Sequence, residues 1–193
     1  MTRRAVIVPL IPPRWTPPGT DPLAWRRALA EDVVDLVAGL AEVEPAVAVV
    51  PPDRALADAL IWPGTRVYEL DALTCDRVFA AAARDGYDQA ALLAPDAPDL
   101  PGMLVGKLLR PLSSRTVSVA PALTGGLLAL AARLPAPEWL PPVDLDADPD
   151  TVAKAGRVAL SAGWHRLTGP DSLFRLDPGL EGWAATRALL SVA

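Results

Sequence analysis

Cysteine and histidine are almost absent from this 193-residue chain, since each occurs once, as Cys75 and His165. A single cysteine excludes an intramolecular disulfide and is typical of a reducing compartment. One cysteine and one histidine also exclude a structural zinc site. We expect Cys75 to be a packing residue. We expect His165 to be solvated or at a helix end rather than a general base, because no Cys, Ser or carboxylate pattern adjoins it.

Positive charge is also scarce, with 18 Lys and Arg against 23 Asp and Glu, a net charge of −5 and a pI of about 4.9. Nucleic-acid binding needs a concentrated basic face, and the arginine pairs at 3–4 and 26–27 are too small to form one. Apolar runs of about 18 residues, which would span a membrane, are missing, and the N-terminal segment breaks at Pro9 before any leader-like stretch. We therefore expect a cytoplasmic protein with neither nucleic acid nor a membrane as its partner.

Three common nucleotide or catalytic motifs are missing as well. No Gly-x-Gly-x-x-Gly follows the first apolar run, and no Walker-type loop occurs. A dinucleotide-dependent oxidoreductase and a P-loop NTPase are both disfavoured. An α/β-hydrolase is disfavoured too, because the chain has no Gly-x-Ser-x-Gly elbow.

Apolar residues and prolines are abundant: the composition is 51% hydrophobic, and the 22 prolines mostly lie between periodic segments. Short apolar runs alternate with segments of helical period, which is typical of βαβ units. Strands are predicted at 5–11, 46–51, 66–70, 89–95 and 116–121, and helices from Pro22, from Asp71 to about Arg84, at 101–112, from Pro149 to about Ala162 and from Pro178. The segment 125–134 fits a strand or a helix. The pattern predicts a three-layer α/β/α fold with a mainly parallel, mixed sheet.

The sharpest change in composition lies at 135–150, "PAPEWLPPVDLDADPD". It predicts an α/β domain over 1–162 and a C-terminal helical appendage over 163–193 that packs on the core or on a partner. Apolar residues of the last predicted helix, such as Trp183 and Leu190, would allow a homodimer.

Two carboxylates follow the most apolar predicted strand, in "LLAPDAPDLPG" (92–102). Ligands of open α/β sheets bind outside the carboxyl ends of the strands, so Asp96 is placed to hold Mg²⁺ or Mn²⁺. The alternative is that Asp96 stabilises its own turn and Asp99 lies near the start of the next helix. The two residues alone leave both interpretations open.

The order of several segments resembles that of small bacterial GT-A-type transferases of the nucleotide-diphospho-sugar transferase superfamily. "APDAPDL" (94–100) stands where that family has Gly-Ser-Asp-x-Pro-x-Leu. "VSVAP" (117–121) and "LTGGLLAL" (123–130) take the places of a strand ending in Gly-Pro and of Asp-Gly-Gly-Tyr. "VDLDADPDTVAKA" (143–155) is similar to a short acidic motif before a helix. The likeness covers roughly residues 5 to 160.

The resemblance implies a GT-A, Rossmann-like nucleotide-diphospho-sugar transferase fold that binds a nucleotide or nucleotide-sugar near the first strand. It implies metal-assisted glycosyl or nucleotidyl transfer. Mg²⁺ or Mn²⁺ would be held by Asp96 with Asp146 or Asp144, and the catalytic residues would be Asp96 and Asp99. The residues that would bind the nucleotide are Arg14, Thr124, Gly125 and Gly126.

The chain departs from the family in its phosphate-binding residues. The family has a loop of the type Lys-x-Pro-x-x-Gly-x-x-Lys-Thr-Arg-Leu after its first strand, whereas here only Arg14 is basic within the loop. Thr124 replaces an aspartate and Leu127 replaces a tyrosine. Two hypotheses follow: a divergent transferase that binds its donor differently, or a catalytically inactive binding or scaffold protein that acts through a protein partner.

Overall fold

The computed structural model describes residues 2–191, and its centre is one seven-stranded sheet. The strand order is β3-β2-β1-β4-β6-β5-β7. β6 runs antiparallel to both of its neighbours, and the other pairs are parallel. The predicted mainly parallel, mixed sheet is thereby confirmed. The strands are β1 (Arg4–Pro9), β2 (Glu44–Val49), β3 (Arg66–Glu69), β4 (Gln89–Leu93), β5 (Val117–Pro121), β6 (Leu127–Arg133) and β7 (Val158–Leu160).

Helices cover both faces of this sheet. Alternate strand residues point to opposite sides, and both sides carry buried apolar residues. Val6 and Val8 of β1 belong to one buried cluster, and Ala5 and Ile7 belong to the other. The helices are α1 (Pro22–Ala38), α2 (Arg54–Leu60), α3 (Cys75–Arg84), α4 (Met103–Leu109), α5 (Pro149–Ala155) and α6 (Ala184–Leu190), with short 3₁₀ helices at Pro51–Asp53, Arg110–Ser113 and Pro170–Arg175. Within residues 2–191, no helix combines the length and the apolar character that crossing a membrane requires.

The start of α1 follows from its sequence. The Asp21 carboxylate accepts a hydrogen bond from the Ala24 backbone N–H at 2.8 Å, and Pro22 occupies the first turn, where its missing N–H costs little. The buried Trp25 donates its indole N–H to the Trp15 carbonyl at 2.9 Å, and the two rings meet edge to face. The loop between β1 and α1 is therefore anchored to α1.

Three helix predictions are corrected by the structure. The helix after Asp71 begins only at Cys75, with Thr74 at its N-cap. α5 ends at Ala155, and β7 follows because residues 158–160 complete the sheet beside β5. Asp177 starts no helix. Its carboxylate instead accepts from the Gly179 N–H at 2.8 Å and closes a turn, and the last helix begins at Ala184.

Sequence periodicity could not assign the segment 125–134, and the sequence left open where the segment after residue 162 packs. The segment that fitted either a strand or a helix is the strand β6. The segment after residue 162 packs on the α/β core through its first residues, since the Leu167 N–H donates to the Asp96 carbonyl at 2.7 Å. Asp32 of α1 accepts from the Ala185 and Thr186 N–H groups at the start of α6. The division of the chain at residue 162 stays a prediction.

Candidate functional site

Five of the residues singled out in the sequence meet at the carboxyl edge of the sheet. β4 is parallel to β1 and ends at Leu93, so Asp96 lies just beyond this edge. The antiparallel β6 starts at the same edge, and the turn from β5 places residues 124–126 there. Residues 143–150, called the acidic segment below, join them because the Leu127 N–H donates to the Leu145 carbonyl at 2.8 Å. The sheet topology therefore assembles Asp96, Thr124, Gly125, Gly126 and Asp146.

Asp96 forms a buried ion pair with a residue that sequence reasoning missed. Arg166 donates Nε–H to Asp96 Oδ1 at 2.6 Å and Nη2–H to Asp96 Oδ2 at 3.0 Å. The side chains are 1% and 3% exposed, so the pair is shielded from water on all sides. This two-point geometry is the strongest form of arginine–carboxylate pairing.

The rest of the Arg166 guanidinium faces the acidic segment. Its Nη1 donates to the Leu145 carbonyl at 2.7 Å and lies 3.2 Å from both the Leu127 carbonyl and Asp146 Oδ1. Burial by itself lowers the pKa of the Arg166 guanidinium, but Asp96 and Asp146 outweigh it, and the pKa lies above its ordinary value. Arg166 therefore carries a fixed positive charge between two carboxylates.

The turn before β6 is shaped around this arginine. The Thr124 hydroxyl accepts from the Arg166 N–H at 3.1 Å and lies 3.0 Å from the Arg166 carbonyl, to which it can donate. Gly126 has a φ of +83°, and a Cβ there would lie 2.7 Å from the Leu145 carbonyl oxygen. Gly125 has a φ of +96° but no atom near its missing Cβ. Thr124 thus holds the Arg166 backbone in place, and the missing side chain of Gly126 leaves room for the Leu145 carbonyl and the Arg166 guanidinium.

The residues as placed do not fit the divalent cation that the resemblance implies. Both oxygens of Asp96 are bound by Arg166, and Asp146 Oδ1 is shared between Arg166 and Arg14 at 3.2 and 3.3 Å. The part of the chain that the structure describes holds no cluster of three His, Cys, Asp or Glu side chains that could bind a metal. Metal binding by Asp96 and Asp146 stays a prediction, and this geometry gives a physical reason against it.

Asp99 forms a second buried cluster with the C-terminal segment. Its Oδ1 accepts from the Trp164 indole N–H at 3.2 Å and lies 2.9 Å from His165 Nε2, out of line for a hydrogen bond. Its Oδ2 accepts from the Asp177 N–H at 2.9 Å. Burial by itself raises the pKa of the Asp99 carboxyl, but His165, the Asp177 N–H and Trp164 outweigh it and lower the pKa below its ordinary value. A catalytic role for Asp99 stays a prediction.

His165 was expected to be solvated or at a helix end, and this expectation is wrong. The residue is 3% exposed, and its ring lies 4.9 Å from the Trp164 ring at an angle of 31°. No helix precedes it directly, because α5 ends ten residues earlier and β7 intervenes.

A pocket of about 280 Å³ opens at the carboxyl ends of β1 and β2. Small-molecule pockets usually begin at about 300 Å³, so this one suits a nucleobase or a nucleoside better than a whole nucleotide-sugar. Its walls are mainly apolar, with two carboxylates and one hydroxyl. The lining residues are Leu10, Ile11, Pro12, Val50, Asp53, Leu73, Thr74 and Asp144.

Few cations near this pocket are free to meet a phosphate. Arg26 is largely buried and is bound by Asp53 at 2.5 Å and by the Leu10 carbonyl. Arg14, two residues beyond Pro12 of the pocket wall, has a half-exposed side chain, and within residues 2–191 its one ionic partner is the exposed Asp146. Arg14 is therefore the loop cation that a ligand can recruit.

Sequence reasoning missed Arg166 because nothing local marks it. It lies 70 residues beyond Asp96, in a segment that the resemblance does not cover. The one available signal is an arginine among apolar neighbours in "GWHRLTG", because a charged residue in such a run is usually either exposed or paired.

Comparisons with known proteins identify the fold. No protein-family profile matches the chain, and no curated protein matches its sequence. Solved structures do match over the whole length. A protein from Desulfovibrio desulfuricans G20, described as a candidate nucleotide-diphospho-sugar transferase, is 19% identical with a TM-score of 0.68, covering 100% of this chain and 98% of its own.

Two further structures were solved with ligands. CMP:2-keto-3-deoxy-manno-octonic acid synthetase in complex with CTP is 14% identical, with a TM-score of 0.59 and 99% of both chains covered. Rv0371c from Mycobacterium tuberculosis H37Rv in complex with manganese is 17% identical, with a TM-score of 0.55 and 98% of both chains covered. At these identities the likeness establishes the fold, and the predicted nucleotide-diphospho-sugar transferase fold is confirmed.

Proposed function

We propose that this chain, which has the fold of the nucleotide-diphospho-sugar transferases, binds a nucleotide or nucleotide-sugar at the carboxyl edge of its sheet and transfers a nucleotidyl or glycosyl group. The observation that carries the proposal is the pocket at the ends of β1 and β2, since ligands of open α/β sheets bind at this edge. The full-length likeness to a synthetase solved with CTP supports it. The cytoplasmic location that the sequence predicts belongs to the same proposal.

The pocket can receive the base. Leu10, Ile11 and Val50 supply apolar walls for a flat ring, and the Asp144 carboxylate can accept hydrogen bonds from exocyclic amino groups. Both oxygens of Asp53 already accept hydrogen bonds from Arg26. Carboxylates repel phosphate, so the phosphates must extend away from both aspartates. The nearby half-exposed Arg14 is the cation that can meet them.

The backbone before β6 is a second candidate for ligand contact. Gly125 has a positive φ and open space beside it, so a ligand can approach its backbone closely. Thr124 does not add a free hydroxyl, because both of its polar contacts are to the Arg166 backbone. In this proposal Gly125 contacts the ligand, whereas Thr124 positions the Arg166 backbone and Gly126 leaves room for the Arg166 guanidinium.

A second candidate function is a binding or scaffold protein that has lost catalysis and acts through a protein partner. The observation that favours it is that Asp96 and Asp99, the two predicted catalytic carboxylates, are buried and occupied by the chain's own groups. A homodimer through α6 stays a prediction. Trp183, at the start of α6, is 5% exposed and is covered within its own chain, with the Arg187 guanidinium 4.2 Å from its ring.

Calorimetric titration with CTP tests the binding proposal. Leu73→Trp would fill the pocket, and Leu160→Trp is the matched control, since Leu160 is exposed and lies on β7, four strands away from β1. We expect binding to the wild type and to Leu160→Trp, and a loss of at least about tenfold in affinity in Leu73→Trp, since tenfold corresponds to about 1.4 kcal/mol. Equal affinity in all three proteins would place the ligand elsewhere. If CTP binds, pyrophosphate release with sugar acceptors separates a working transferase from the catalytically inactive candidate.

A further inference from the structure

We propose that the guanidinium of Arg166 is the resident cation of the carboxyl edge, in the position between Asp96 and Asp146 where the resemblance places a divalent metal. The structure joins all three side chains: Arg166 bonds both oxygens of Asp96 and lies 3.2 Å from Asp146 Oδ1. The chain has thus replaced an exchangeable ion with a covalently attached one, and its carboxyl edge excludes Mg²⁺ and Mn²⁺.

The charges balance without a metal. Asp96 and Asp146 carry two negative charges, and Arg166 and Arg14, both in contact with this pair of carboxylates, carry two positive charges. A divalent cation would supply the same total. A metal added to the present cluster would therefore lie in an already neutral set of side chains and close to the fixed charge of Arg166, which repels it.

Burial makes the exchange of Arg166 for a metal unfavourable. The guanidinium is 1% exposed, and its Nη1 donates to the Leu127 and Leu145 carbonyls. A metal that took Asp96 would leave a buried cation without its partner, which is among the most destabilising changes in a protein interior. The planar guanidinium of arginine can bind both oxygens of a carboxylate at once, whereas the ammonium of lysine is a single point charge.

The backbone around Arg166 keeps the side chain in place. The Thr124 hydroxyl contacts both the N–H and the carbonyl of Arg166. The next residue, Leu167, donates its N–H to the Asp96 carbonyl at 2.7 Å. Arg166 and Asp96 are therefore joined through the backbone as well as through their side chains. A change of rotamer that moved the guanidinium away from Asp96 would also break its other buried hydrogen bonds.

The inference about Arg166 does not depend on which ligand the pocket binds, so it is tested without nucleotide. Electron paramagnetic resonance measures free Mn²⁺ during titration of the wild-type protein. We expect the signal of free Mn²⁺ to be the same with and without protein, or any loss of signal to be unchanged in Asp96→Asn. A bound ion in the wild type that is lost in Asp96→Asn would overturn the proposal.

Arg166→Gln is the variant that should gain metal binding, because glutamine keeps a hydrogen-bond donor for Asp96 but removes the positive charge. We expect this variant to gain Mn²⁺ binding and a thermal shift of roughly 5–10 °C at Mn²⁺ a hundredfold above its Kd. The matched control, Arg166→Gln with Asp96→Asn, should lose that gain. A folded Arg166→Gln protein that binds no Mn²⁺ would contradict exclusion by the guanidinium, and if Arg166→Gln does not fold, the wild-type titration decides.

Discussion

The guanidinium of Arg166 holds both carboxylate oxygens of Asp96, 70 residues earlier in the chain, at 2.6 and 3.0 Å. This pair connects the end of β4 to the segment after β7. The residues around Asp96 left open whether it holds a metal at the sheet edge or stabilises its own turn, and in the structure its carboxylate pairs with a buried arginine.

Asp96→Asn should destabilise the protein by about 3–5 kcal/mol, because it leaves the buried Arg166 charge without its counter-ion. The matched control is Asp150→Asn, which breaks an exposed pair with Lys154 and should cost less than about 1 kcal/mol. Urea unfolding measures both. A similar small loss in the two variants would show that the Asp96–Arg166 pair contributes little.

Replacing both partners should be milder than replacing one. Asp96→Leu combined with Arg166→Met removes both charges and leaves no unpaired ion, so it should be clearly more stable than Asp96→Asn alone. Urea unfolding of the wild type, of Asp96→Leu, of Arg166→Met and of the double variant completes the cycle. Additive losses would indicate that the two residues act independently.

Gly126→Ala should be more destabilising than Gly125→Ala. Both glycines have a positive φ, for which an alanine costs roughly 1–2 kcal/mol. Only at Gly126 would the new Cβ also lie 2.7 Å from the Leu145 carbonyl oxygen and 3.3 Å from Arg166 Nη1. Chemical unfolding of the two variants isolates this steric effect, and equal losses would contradict the close approach at Gly126.

Asp99 should make stability fall in acid. Its pKa is lower in the folded protein than the ordinary value of about 4, so the unfolded state binds the proton first as the pH falls. The stabilisation is therefore present above about pH 4 and is lost as the pH falls through the folded pKa. Urea unfolding between pH 2.5 and 6 should show a weaker pH dependence in Asp99→Asn than in the wild type. Parallel curves would contradict this role.

Arg14→Ala should weaken binding of a nucleotide that carries phosphates by about tenfold, because a hydrogen bond to a charged group contributes about 1.5 kcal/mol or more. The control is Arg115→Ala, since Arg115 is exposed and precedes β5 at the opposite edge of the sheet. Titration calorimetry with the nucleotide and with its nucleoside should show the loss for the nucleotide only. An equal loss for the nucleoside would place Arg14 at the base instead.

The layered fold was predictable because its signals are local and repeated. The Asp21–Pro22 start of α1 and the apolar run of β4 each follow from a few neighbouring residues. The end of α5 at Ala155, earlier than predicted, could not be foreseen, because it depends on an edge strand that forms only when residues 158–160 pair with β5. Periodicity alone also could not decide β6, which is buried along nearly its whole length.

The candidate site was predictable in position but not in chemistry. Asp96 was placed at this edge because it follows an apolar strand, and Gly126 and Asp146 were placed there by the resemblance; the strand order brings all three to one edge. Their partner Arg166 comes from a distant segment without regular secondary structure, so no window of sequence contains both members of the pair. A carboxylate at a strand end looks the same in sequence whether it faces a ligand or a buried arginine.

The most direct test of the central claim is thermal unfolding of the wild-type protein with a panel of nucleotides and nucleotide-sugars, each with EDTA and with Mn²⁺. A ligand at a hundred times its Kd adds about 2.7 kcal/mol of stability, which raises the Tm of a chain of this size by roughly 5–10 °C. We predict such a shift for at least one nucleotide, of equal size in EDTA and in Mn²⁺. A panel without any shift would contradict nucleotide binding at the carboxyl edge, and a shift that requires Mn²⁺ and disappears in Asp96→Asn would contradict the role of Arg166 as the resident cation.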